Sequence, residues 1–129
     1  MEDESHENLR LPGLHEAGEQ LSRDFLADKQ LYRALILQLR KDFETSAIPI
    51  KLLLGKRYSF DELCQLIHDA FMSAGATAMF QLLYRVDISE QQLKKGMPTP
   101  GIDPMLVAEM VVKRELQKVV LRKMYGKGS

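Results

Sequence analysis

Between Ser59 and Ser89 the chain spells out two helices and the break between them, and this stretch limits the fold more than any other. Ser59 followed three residues on by Glu62 fits a capping box, in which each side chain bonds the other residue's backbone amide. Tyr58, just outside, is placed to pack on Leu63 as a hydrophobic staple. Phe60, Leu63, Ile67, Ala70, Phe71 and Ala74 recur at spacings of three and four, so they share one helix face. Asp61 and Glu62 suit the positive end of the helix dipole.

Gly75 sits in a run of small residues and predicts a stop and restart, because glycine is costly within a helix and favourable just past its end. The alternative is one unbroken helix whose small residues let a neighbour approach. Beyond it Met79, Phe80, Leu82, Leu83 and Val86 make a segment apolar on most sides, the pattern of a central helix.

The flanks carry the same grammar. Asp28 is a candidate N-cap for a helix over Lys29–Ser46, with Leu31, Tyr32, Leu35, Leu39 and Phe43 as its stripe and Pro49 as its stop. Ile50–Gly55 is too short to separate a strand from a helical turn by periodicity. A lone strand would lack a partner, so a helical turn or a packed extended segment is expected. Ser89 and Gln92 form a second capping box, predicting a short helix over Glu90–Lys95 closed by Gly96. Asp103-Pro104 gives an N-cap followed by proline at the first helical position, opening a helix from Met105 to Tyr125 with Gly126 beyond it. Earlier, His15–Ala27 has near-helical apolar spacing weakened by Gly18.

These segments predict an all-α fold: one domain of about four or five helices over residues 14–127, preceded by an acidic, disordered head over residues 1–13. With 45% apolar and 28% charged residues the chain is ordinary for a globular protein, and 129 residues suffice for a core. The net charge is zero but unevenly spread. Residues 1–28 carry eight acids against two bases, and residues 104–129 carry six bases against two acids. The single cysteine, Cys64, rules out an intramolecular disulfide and fits a reducing compartment. No secretory signal core or membrane-length apolar run is evident, so the cytoplasm is the expected location.

Motifs for chemistry are sparse. Cys64 and His68 share a helix face and have the atoms for a zinc ligand pair or a thiol nucleophile with its base, but zinc in a structural site wants four ligands. Only His6 and His15 remain as further histidines. A buried cysteine beside a surface histidine is the plainer expectation. There is no Glu-x-x-His motif for a di-metal bundle site. Gly55-Lys56 lacks the remaining residues of a phosphate loop. No cofactor, metal or small-molecule substrate is therefore expected, and no enzymatic activity.

The last helix carries the strongest functional lead. Its first half is apolar round most of its girth, and its second half mixes Leu116, Val119, Leu121 and Tyr125 with Lys118, Arg122 and Lys123. The expected function is a small non-enzymatic interaction or regulatory protein that binds a protein partner, or a second copy of itself, through Val111, Arg114, Lys118, Leu121, Arg122 and Tyr125. Two alternatives stand beside it: a nucleic-acid-associated factor using the basic end of that helix, and a metal- or thiol-dependent enzyme built on Cys64 and His68.

Overall fold

A computed structural model describes residues 27–97 and 100–125. Five helices run through them in the order α1 (Lys29–Thr45), α2 (Phe60–Ala74), α3 (Ala76–Val86), α4 (Glu90–Lys95) and α5 (Pro104–Tyr125). No strand occurs among the described residues. The all-α expectation holds. The predicted helix over His15–Ala27 and the disordered head fall outside the described residues, apart from Ala27 itself.

Four of the five helix starts follow from a side-chain cap. Asp28 Oδ1 accepts from the amides of Gln30 at 2.9 Å and Leu31 at 3.1 Å. Ser59 Oγ accepts from the Glu62 amide at 3.0 Å while Glu62 Oε1 accepts from the Ser59 amide at 2.8 Å. Ser89 and Gln92 repeat the exchange at 3.1 and 2.9 Å. Asp103 Oδ1 accepts from the Met105 amide at 2.9 Å, ahead of Pro104 at the first helical position. These bonds satisfy amides that the first turn leaves without carbonyl partners.

The expected break at Gly75 is present, and its φ of +97° is accessible without strain only to glycine. The α1 stop differs in detail from the proline reading. The helix ends at Thr45, and Ala47 takes the left-handed conformation with φ of +59°. The Ile48 amide then bonds the Phe43 carbonyl at 2.9 Å and the Ala47 amide bonds that of Glu44 at 3.0 Å, a Schellman closure formed before Pro49. Asp87, with φ of +75°, closes α3 in the same way.

Residues 48–53 form neither helix nor strand. Ile48 and Leu52 anchor this connection in the core. Two tyrosines bind its backbone: Tyr32 Oη donates to the Lys56 carbonyl at 3.2 Å and accepts from the Tyr58 amide at 2.6 Å, and Tyr58 Oη accepts from the Leu53 amide at 3.0 Å. Pairing the connection's polar backbone with side chains from the core substitutes for the ladder it lacks.

One core joins the helices. Leu35, Ile36, Leu39 and Phe43 of α1 meet Leu63 and Ile67 of α2, Leu82 and Val86 of α3, and Val107, Val111 and Val112 of α5, all at 0% exposure. Phe43 and Phe71 stack with centroids 6.0 Å apart, tying α1 to α2. α5 packs most extensively on α2, then on α1, then on α3. Burial against three neighbours accounts for the apolar girth of its first half. No described helix is long and apolar enough to cross a membrane.

Candidate functional site

The seam between α1 and α5 holds a buried carboxyl group, the most deeply buried charged side chain among the described residues. Glu115 is buried at 0% exposure, facing the buried Asp42 of α1. Neither of its carboxyl oxygens has a hydrogen-bond donor, and the nearest cation is Lys118 Nζ at 3.6 Å. Burial pushes the Glu115 carboxyl up to about 9. The facing Asp42 carboxyl contributes to that rise, against the opposing pull of Lys118. Burial and the neighbouring Asp42 carboxyl both favour the protonated form of Glu115 over its carboxylate.

Asp42 is itself buried and accepts from Gln38 Nε2 at 3.0 Å. Gln38 Oε1 in turn accepts from Arg122 Nη2 at 3.0 Å. About two turns back along α1, Lys123 Nζ donates to Gln30 Oε1 at 3.2 Å and lies 3.9 Å from Asp28 Oδ2. The two helices therefore run antiparallel, and the C-terminal tip of α5 lies beside the N-terminus of α1. Hydrogen bonds from the Leu31 amide and then the Lys123 charge hold the exposed Asp28 carboxyl below the usual range.

The six residues assigned to partner binding do not form one surface. Val111 is fully buried and takes no part in any exposed face. Arg114 is turned back into the fold: its Nε donates to the Val86 carbonyl and its Nη2 to Asp87 Oδ2, both at 3.3 Å, closing the end of α3. Lys118 and Leu121 are half-buried at the edge of the seam. Arg122 and Tyr125 are exposed, and Met124 joins them. The bases of α5 also reach solvent over a shorter stretch than their positions in the sequence suggest. Lys113 is buried, with its ammonium 5.9 Å from the Phe60 ring centroid.

The charge that remains at the tip is positive. Arg122 meets the neutral amide of Gln38, a contact that leaves its charge in place, while Lys118 lies 3.6 Å from the Glu115 carboxyl, whose pKa burial raises. Tyr125 is 70% exposed and Met124 54%. Cations and apolar side chains thus share the last two turns of α5.

A second apolar surface escaped the sequence reading. Phe80 and Tyr84 of α3 face outward, Tyr84 at 87% exposure. With Thr45, Ser46, Thr77, Gln81 and Arg85 they line an open groove of about 530 Å³. The signal lay in the phase of α3: Met79, Leu82, Leu83 and Val86 take the inner face, which leaves positions 77, 80, 81 and 84 outside.

Cys64 is buried, and His68 places Nδ1 3.1 Å from Asp69 Oδ1. Among the described residues no group of three or more His, Cys, Asp or Glu side chains is arranged to hold a metal ion. The Glu115–Asp42 pair lines neither the α3 groove nor the shallow depression around Arg40, Pro49 and Ile50. No protein-family model, curated protein or solved structure matches the chain.

Proposed function

We propose that this protein is a non-enzymatic interaction module that binds an acidic, amphipathic protein segment on the tip where the end of α5 meets the start of α1. The observation that carries this reading is the exposure of Met124 and Tyr125 directly beside the uncompensated charge of Arg122. Aromatic and arginine side chains are the residue types that anchor protein interfaces. An acidic helix with one apolar face matches both components, its carboxylates meeting Arg122 and Lys118 and its apolar face covering Tyr125 and Met124. A nucleic-acid partner fits less well, because Lys123 is already paired with Asp28, which leaves little cationic surface for phosphates.

Backbone amide shifts recorded while a short synthetic amphipathic helix of leucine and glutamate is added test this reading. Shifts are expected at residues 118–125 and at the start of α1. Arg122→Glu is expected to weaken binding by about fivefold, the scale of one exposed charge pair. Shifts confined to the α3 groove would move the site there. A single-stranded oligonucleotide that binds as well as the peptide would favour the nucleic-acid reading instead.

A further inference from the structure

We propose that residues 1–26 of the chain itself occupy the basic tip of α5, so that the surface assigned above to a partner is masked by the protein's own acidic segment. The proposal rests on that assignment and names the first occupant. Residues 1–26 carry seven acids against two bases. Leu14, Leu21, Phe25 and Leu26 give the segment apolar positions at near-helical intervals.

The point of attachment selects the tip. The described chain begins at Ala27, one residue before Asp28, whose carboxylate lies 3.9 Å from Lys123 Nζ. Phe25 and Leu26 are three and two residues from Asp28, so an extended chain keeps them within roughly 10 Å of it. The acidic segment thus enters the fold where α5 presents its cations and its exposed Met124 and Tyr125. The α3 groove, by comparison, offers one cation, Arg85. A second copy would bring a like-charged tip against this one, which opposes self-association through it. Tethering also gives the linked segment an effective concentration on the order of millimolar, ahead of any free partner of the same chemistry.

Zero-length carbodiimide coupling of the full-length protein, read by mass spectrometry of the monomer, tests the proposal. Amides joining Glu16, Glu19 or Asp24 to Lys118 or Lys123 are expected to exceed those to the remote Lys51, Lys94 and Lys95. They are expected to fall in molar salt and in Arg122→Glu, which leaves both acceptor lysines in place. Links scattered evenly over the lysines, absent, or confined to covalent dimers would overturn it.

A second measurement separates this proposal from the one it rests on. Removing the three acids nearest the fold with Glu16→Gln, Glu19→Gln and Asp24→Asn is expected to tighten binding of the leucine–glutamate peptide by about tenfold, as the tethered competitor is weakened. Equal binding by both proteins would keep the surface and remove its masking. Failure of the peptide to bind either protein, with the cross-links intact, would remove the external partner and keep the intramolecular contact.

Discussion

Replacing Glu115 by glutamine tests the electrostatics of the α1–α5 seam. In the folded protein burial and Asp42 push the carboxyl up to about 9, against 4.5 without the fold. The folded state therefore holds a proton that the unfolded chain releases. A group of this kind contributes its full stability below pH 4.5, and loses it as pH rises toward 9. Each pH unit inside that window lowers stability by about 1.4 kcal/mol, so about 3 kcal/mol disappears between pH 5 and pH 7. Glutamine keeps the shape, keeps a donor for Asp42 and does not titrate. Urea denaturation followed by circular dichroism at pH 5, 6, 7 and 8 reads the difference, with an unchanged denaturant slope showing that the unfolding transition is the same one. Glu115→Gln is expected to gain on the unsubstituted protein by about 3 kcal/mol between pH 5 and pH 7. Parallel pH profiles for the two proteins would refute the protonated, buried state. Asp42→Asn provides a check on the cause: it removes a group that raises the Glu115 carboxyl, and should narrow the window from its alkaline side.

Other expectations rest on backbone and capping geometry. Gly75→Ala places a side chain at φ of +97° and is expected to lower stability by about 1–2 kcal/mol, with no steric clash contributing, because no atom lies within 4 Å of the added carbon. Thermal melts with unchanged helicity check it. Ala47→Gly relieves the left-handed residue that closes α1 and should raise stability by about 0.5–1 kcal/mol in the same assay. Ser59→Ala removes one half of the α2 capping box, at a cost of about 1 kcal/mol. Arg114→Ala loses contacts to Val86 and Asp87 whose outer partner is largely exposed, so only about 1 kcal/mol is expected, together with faster hydrogen exchange at the end of α3.

The boundaries of the helices were legible in the sequence because the interactions that set them span four residues or fewer. Asp28, Ser59 with Glu62, Ser89 with Gln92, Asp103-Pro104 and Gly75 each act on a neighbouring amide or on their own backbone angles, and each does so in the structure. Sidedness was legible in α1 and α2, whose apolar residues gather on one face. It was not legible in α5, whose apolar residues spread almost evenly round the helix. Three neighbours then decide what goes inside, and they bury Val111, Lys113 and Glu115 together while leaving Tyr125 out. The raised pKa of Glu115 has the same origin: it comes first from the exclusion of water by packed helices and then from Asp42, 73 positions earlier in the chain. The outward turn of Phe80 and Tyr84 is likewise settled by the side of α3 that meets the core. Local chemistry sets where each helix starts and stops; which of its side chains meet water depends on long-range packing, which no short window of sequence contains.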